Sequence, residues 1–313
     1  LNKVLKDIVV RSQQMMGKDS IYVPGWDCHG LPIEWQIEQQ YRKEGRDKDA
    51  VPLEQFRQEC RAHAEHWIAI QREEFKRLGV MGDWEQPYTT MSFQAESQIV
   101  RELGKFLLDG SLYKGSKPVM WSPVEKTALA EAEVEYHDHT STTIWVKFPI
   151  RESSMSSLVG ANIIIWTTTP WTIPANRCIC FGEKITYNLF EILETDSTSS
   201  VVEGDRFIAA AALIEGISRE AGITKWRIIE KEISVEILGD IVCAHPLDKM
   251  GYNFVVPLIP SGHVTIEQGS GFVHTAPGHG PEDYEAVMAH NSVCQSKGIL
   301  DKSIEVPQTV DGD

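Results

Sequence analysis

The sequence predicts an α/β protein in two parts, a partial nucleotide-binding region followed by a compact mixed β-barrel-like domain inserted into it. Three observations carry that expectation. The chain opens with an amphipathic stretch, a short apolar run and a proline–glycine loop, the local order of a nucleotide-binding α/β unit. After about residue 140 the pattern changes to short apolar runs separated by turns, the mark of a β-rich domain. With 313 residues, the chain is long enough for two domains.

Taken in order, Leu1, Leu5, Ile8 and Val9 share one helical face over residues 1–16, with Gly17 suited to the C-terminal cap. Residues 21–23 read as a strand running into Pro24 and Gly25. From Pro52 to Leu78, Phe56, Cys60, Ala64, Trp67, Gln71 and Phe75 step at helical spacing. Pro52 suits the first turn and Gly79 the end. A further helix, residues 94–109, is expected to bury Ile99, Leu103, Phe106 and Leu107. Residues 130–136 alternate strictly, predicting a strand with Glu131, Glu133 and Glu135 on one solvated face. Strands are then expected over 143–148, 163–166, 187–193, 233–238, 254–258 and 271–274, with a helix over 205–215. Residues 153–157 and 195–200 read as polar loops.

The composition is that of an ordinary globular chain, 42% hydrophobic and 24% charged, and no run approaches the roughly 20 apolar residues of a membrane span. Six cysteines without a disulfide-like framework fit a reducing compartment. A net charge of −15 argues against a bare nucleic-acid-binding domain but leaves room for a local basic patch. The first eleven residues mix acidic and basic groups and do not read as a signal peptide.

Two phrases carry chemistry. Trp166-Thr-Thr-Thr-Pro-Trp-Thr-Ile-Pro-Ala-Asn-Arg-Cys-Ile179 follows an isoleucine run and places Thr167, Thr168, Thr169, Thr172 and Asn176 on a proline-stiffened turn. Gly269-Ser-Gly-Phe-Val-His-Thr-Ala-Pro-Gly-His-Gly-Pro-Glu-Asp-Tyr284 adds His274, His279 and Asp283. Pro281 puts Asp283 in the first turn of a helix, where the helix dipole is expected to favour its ionised form. His274 reads either as a general base, given its ordinary pKa near working pH, or as a steric wall. His279 reads as a turn residue. A metal held by His274, His279 and Asp283, or by Cys178 and Cys180, is not expected, because the intervening prolines and glycines and the bare C-x-C spacing argue against it.

Both phrases resemble the two halves of the editing pocket of isoleucyl-tRNA synthetases, class I enzymes that hydrolyse misacylated tRNA. A third, Tyr22-Val-Pro-Gly-Trp-Asp-Cys-His-Gly-Leu-Pro-Ile-Glu34, resembles the amino-acid-binding loop of the same family. The resemblance runs the length of the chain. It implies a partial Rossmann-like catalytic domain over 1–139 and an editing domain over 140–313, with the chain expected to stop inside or near the end of the latter. It also implies that Pro24, Gly25, Trp26 and Asp27 shape the isoleucine pocket, with Asp27 on the α-ammonium. In the editing half, Asp283 would hold the α-ammonium of the misattached residue. Thr167, Thr168, Thr169, Thr172 and Asn176 would position the ester, the terminal ribose and water, and His274 would narrow the pocket. Such a second pocket is needed because one methylene gives little discrimination. The general figure for isoleucine over valine in this enzyme class is about 150-fold.

The partners implied are tRNA(Ile), isoleucine and valine, with ATP and Mg2+ serving the parent protein, expected to be a cytoplasmic or mitochondrial monomer. The His-x-Gly-His and Lys-Met-Ser-Lys-Ser signatures of ATP handling are missing, so the chain reads as an internal piece. Many relatives carry Cys-x-x-Cys after the counterpart of Trp121. Here Ser122 and Glu125 stand there, and no zinc is expected in this segment. A valyl or leucyl enzyme is the nearest alternative, disfavoured by Thr169 and by His29-Gly-Leu31. A non-catalytic tRNA-binding module is the other.

Overall fold

A computed structural model describes residues 1–299 and 302–307, in two compact units, Leu1–Lys114 and Gly115–Asp313. No described helix is long and apolar enough to cross a membrane.

In the first unit, α1 (Asn2–Met15) ends at Gly17, whose φ of +79° suits glycine. The strand expected at 21–23 does not form. The backbone there makes isolated bonds to a distant loop, Asp83 N–H to the Tyr22 carbonyl and Tyr88 N–H to that of Pro24. The pairing comes two residues later, where β1 (Gly25–Trp26) runs parallel to β2 (Tyr88–Thr89). Between them lie α2 (Leu31–Lys43), not foreseen from the sequence, and α3 (Leu53–Arg77). Tyr41 of α2 and Phe56 of α3 pack edge-on at 6.1 Å, and Ala64 and Ile68 close over Cys28 and Met91.

The last helix of this unit, α4 (Phe93–Leu108), is capped by Ser92, whose hydroxyl accepts the Ala95 N–H at 3.2 Å. The expectation that α4 buries Ile99, Leu103, Phe106 and Leu107 is overturned: all four are more than half exposed. Trp67 is also exposed, at 46%. Their helical spacing is correct, but within this unit nothing covers the apolar faces.

The second unit begins with a small hairpin, β3 (Trp121–Ser122) and β4 (Thr127–Ala128). Residues 130–136 are not a strand. The Glu133 carboxylate folds back onto the Ala130 N–H at 2.9 Å and closes a single 3-10 turn, so the three glutamates do not share a pleated face. Then come β5 (Ile144–Glu152), β6 (Asn162–Thr167), β7 (Cys178–Phe181), β8 (Tyr187–Thr195), β9 (Arg206–Ala210), α5 (Ile214–Glu220), β10 (Ile223–Glu230), α6 (Val235–Leu238), β11 (Val242–Ala244), β12 (Val255–Pro260), β13 (Phe272–Thr275) and α7 (Pro281–Lys297).

Nine of these strands form one mixed sheet in the order β10-β8-β9-β6-β5-β11-β12-β7-β13, with β6–β9 and β12–β7 parallel. The closed barrel hinted at by the strand pattern is not present, because the end strands β10 and β13 do not pair with one another. The sheet curls enough that Ser270, just before β13, bonds the Ile164 carbonyl of β6 and, through its own carbonyl, the Ala210 N–H at 2.8 Å. Gly271 is required at that approach. Its φ is +80°, and a Cβ there would lie 2.5 Å from Ala210 Cβ.

Two further elements differ from the sequence reading. The apolar run 205–215 is β9 followed by the start of α5, because it lies between β8 and β6 and both supply ladder bonds. The run 233–238 contains the short helix α6, set by the Ser234 hydroxyl on the Ile237 N–H.

Period-two alternation distributes the core. Ile163 and Ile165 of β6, Ile179 and Phe181 of β7, and Phe148, Leu189 and Phe272 enter one cluster. Ile164 points the other way, toward Phe190, Phe207, Ile214 and Ile217. Cys178 and Cys180 share a face and pack with Ala286 and Val287 of α7. Each fully buried aliphatic or aromatic side chain stabilises the fold by about 1.5–3 kcal/mol. This packing pins the end of β6, the start of β7 and the foot of α7 beside one another.

Candidate functional site

At the C-terminal end of β6 the chain leaves the sheet through Thr167, whose buried hydroxyl accepts the Thr169 N–H at 3.1 Å. Pro170 then starts a 3-10 turn running to Ala175. Both the amide and the hydroxyl of Thr172 donate to the Thr169 carbonyl, at 3.1 and 2.8 Å. Asn176 closes the turn through its amide on the Ile173 carbonyl at 3.0 Å, and β7 begins two residues later. Opposite, β13 places His274 in register with Ile179. Further on, α7 starts at Pro281 and aims Asp283 back at this corner, its Oδ2 accepting the Ala276 N–H at 2.7 Å.

The two motifs meet at His274, which is 8% exposed. Its Nε2 is 2.9 Å from Thr172 Oγ1 and its Nδ1 is 2.7 Å from Asn176 Nδ2. Proton directions follow from the neighbours. Asn176 Nδ2 also faces the carbonyls of Cys178 at 2.9 Å and Thr275 at 3.4 Å, so it is the amide donor and His274 Nδ1 accepts. The imidazole proton therefore sits on Nε2 and donates to Thr172 Oγ1, whose own proton goes to the Thr169 carbonyl. A neutral imidazole has one donor and one acceptor, and both are used. Burial, with His245 and His279 nearby, brings the His274 pKa down to about 4. This ring has no lone pair left for a water. It bridges Thr172 and Asn176 with both of its nitrogens occupied.

The electrostatics of Asp283 differ from the sequence expectation. Burial is the largest influence and raises its pKa above the ordinary carboxylate value. The Ala276 N–H and the neighbouring His263 pull the other way without prevailing. The position at the helix foot is as read, but desolvation outweighs whatever the dipole contributes.

Thr167, Thr168, Thr169, Thr172, His274 and Asp283 line one cleft of about 390 Å3, and Asn176, fully buried, lies behind His274. Thr168 and Thr169 are exposed at its mouth. Other lining residues had no role assigned from the sequence. Trp171 presents a ring that is two-thirds exposed and meets His279 edge-on at 5.0 Å, which makes His279 part of the wall as well as of a turn. Trp171 was recoverable, since it stands inside the threonine phrase. Gly269 and Ala276 were recoverable in the same way, since they stand inside the second phrase, whereas Gln268 lies just outside it. The cleft thus offers hydroxyls on one side, a half-buried carboxylate on another and an aromatic rim, a set suited to an ammonium-bearing ester.

In the first unit, Pro24 is buried while Gly25 and Trp26 form β1. Trp26 Nε1 donates to Gln71 Oε1 at 2.9 Å. Asp27 is exposed, and its Oδ1 accepts the Thr90 hydroxyl at 3.3 Å. In the segment after Trp121, the Ser122 hydroxyl accepts the Glu125 N–H at 3.2 Å. Among the described residues, no group of three or more His, Cys, Asp or Glu is arranged to hold a metal ion.

The family model for tRNA synthetases class I (I, L, M and V) matches residues 1–289. An isoleucine–tRNA ligase of Bradyrhizobium diazoefficiens is 53% identical over 318 residues, covering 99% of this chain and 31% of the relative. An isoleucine–tRNA ligase of Rhodopseudomonas palustris is 52% identical with the same coverage. The chain thus spans about a third of the length of the curated relatives it matches. Among solved structures, the crystal structure of GlLeuRS-CP1 superposes loosely, with a TM-score of 0.39 and 14% identity over 52% of this chain and 68% of its own.

Proposed function

This chain belongs to the class I tRNA synthetases of the isoleucine, leucine, methionine and valine group, and from that premise we propose that its second unit is an editing hydrolase for mischarged Val-tRNA(Ile). The parent protein, on this reading, joins isoleucine to tRNA(Ile) with ATP and Mg2+ in the cytoplasm. The isoleucine assignment is supported by relatives named isoleucine–tRNA ligase at 53% and 52% identity. The first unit is then a part of the catalytic domain, with Asp27 toward the α-ammonium of isoleucine and Pro24, Gly25 and Trp26 as pocket wall. ATP activation is assigned to no residue of this chain.

The observation that carries the editing reading is the closed Thr172–His274–Asn176 network standing in one cleft with Asp283. Asp283 keeps one carboxylate oxygen on the Ala276 N–H and has the other for an α-ammonium. A bound cation would restore the ionised form that burial disfavours. The hydroxyls of Thr168 and Thr169, exposed at the mouth, orient the ester and terminal ribose, and an attacking water is ordered between them and the acyl carbon. The ester is already activated, so positioning suffices without a strong base. His274, fixed on both nitrogens, bounds the acyl side of the cleft, where a valyl group is accommodated and the longer isoleucyl group is not.

The test is hydrolysis of Val-tRNA(Ile) and Ile-tRNA(Ile) by the whole 313-residue chain, with Asp283→Ala as the comparison. Clearance of the valyl ester, lost in the variant, supports the reading. A folded chain that binds tRNA and clears neither ester refutes it and favours a non-catalytic binding module.

A further inference from the structure

His245 lies behind this cleft, in the loop after β11, and is 1% exposed. Its Nδ1 accepts the Leu247 N–H at 3.1 Å, so the ring proton sits on Nε2 and donates to the Ile173 carbonyl at 2.9 Å. The ring itself is clamped. It stacks on Tyr252 with centroids 5.0 Å apart and planes 19° from parallel, and it packs on Phe254 at 5.1 Å and edge-on to Phe148 at 6.3 Å. Burial lowers its pKa, which keeps it neutral and able both to donate and to accept.

The Ile173 carbonyl is the centre of the turn that carries the site. It also accepts the Asn176 N–H, and Thr172 immediately precedes it. The turn contains Pro170 and Pro174, neither of which has an N–H to anchor it. The backbone bonds of Thr172 and Asn176 are internal to the segment and would move with it. The His245 bond instead comes from a residue 72 positions away, in the loop that follows β11.

We propose that His245 is a positioning residue for this cleft: by holding the Ile173 carbonyl it sets where Thr172 and Asn176 stand, and through them how His274 is held. The inference rests on the editing reading for its consequence in catalysis, but not for its geometry. Loss of the Ile173 bond lets the turn shift, loosens His274 and widens the acyl side of the cleft. The effect expected is in selectivity as well as rate.

The experiment uses the whole chain with His245→Phe, which keeps the aromatic packing and loses both bonds. His245→Gln places an amide donor near the Nε2 position, and His245→Asn keeps only an acceptor near Nδ1. Two readouts are taken. One is the ratio of kcat/KM for Val-tRNA(Ile) over Ile-tRNA(Ile), which does not change if some of the protein is merely unfolded. The other is the pair of ring 15N resonances of His274, which reports its hydrogen bonds directly. The expected result is a ratio about tenfold lower in H245F and H245N with altered His274 resonances, and recovery of most of both in H245Q. An unchanged ratio and unchanged His274 resonances in H245F overturn the proposal, as does H245N matching H245Q. If H245F does not fold, the H245Q and H245N pair decides by the same criterion. A wild-type chain that hydrolyses neither ester refutes the editing reading alone, and the His274 resonances then judge the positioning role by themselves.

Discussion

Protonating His274 should break the site apart, and the size of the effect follows from its surroundings. The folded-state pKa is about 4 against an ordinary 6.5, a difference of about 2.5 units, because burial disfavours the cation and His245 and His279 add to it. At about 1.36 kcal/mol per unit this amounts to about 3 kcal/mol. The folded chain binds this proton more weakly than the unfolded chain. The stability is therefore fully present above pH 6.5 and is lost as pH falls through about 4. The structural reason is local: with Nδ1 protonated, the ring meets the Asn176 amide as donor against donor. Two measurements check it. Ring resonances of His274 followed from pH 8 to 3.5 should titrate near 4. Amide hydrogen exchange in β6 and β7 should show the opening free energy falling by about 3 kcal/mol between pH 7 and 4, with most of that fall absent in His274→Gln. Asp283, whose pKa is raised, works in the opposite direction, and the variant comparison cancels its contribution. A His274 that titrates near 6.5, or a variant that loses as much stability as the wild type, refutes the account of this ring.

Other outcomes follow from the same coordinates. Asp283→Asn keeps an acceptor for the Ala276 N–H but removes the charge. It should lower kcat/KM for Val-tRNA(Ile) by about 10- to 100-fold, the worth of a charge-assisted hydrogen bond, with little change in melting temperature. Gly271→Ala combines a φ of +80° with a 2.5 Å approach to Ala210 Cβ, and should cost about 3 kcal/mol in denaturant unfolding of the second unit. Phe106→Glu, on the exposed face of α4, should change the stability of this chain by no more than about 0.5 kcal/mol, whereas a core position would cost several times that.

What the sequence revealed of the fold depended on how far each element relies on neighbours. The isoleucine run at 163–165 and the aromatic-aliphatic run from Tyr187 were readable because they are buried strands bounded by turns. The edge strand β10 escaped notice. Its charged positions Lys225 and Arg227 face water and pair with Glu194 and Glu191 across the strand, so the apolar alternation is interrupted. The alternation at 130–136 looked like a strand but has no neighbour to pair with, and the Glu133 side chain settles the matter locally. In α4 the spacing identified the helix and could not tell that its apolar face is uncovered.

For the site, two contiguous phrases held nearly every group that converges, since β7 lies between β12 and β13 and draws them together. Whether His274 is wall or base was open at that level. The wall reading proposed above rests on the Cys178 and Thr275 carbonyls, which fix the direction of the Asn176 amide. Gln268 and His245 reach the cleft or its supports only through folding, and nothing in their immediate sequence marks them.

The most direct measurement is the ratio of Val-tRNA(Ile) to Ile-tRNA(Ile) hydrolysis by the whole chain before and after His274→Ala. If His274 is a wall, removing it should collapse the ratio toward one, with the isoleucyl ester now cleared. If both rates fall together and the ratio is kept, His274 supplies chemistry to the reaction, and the reading of the cleft given above is wrong.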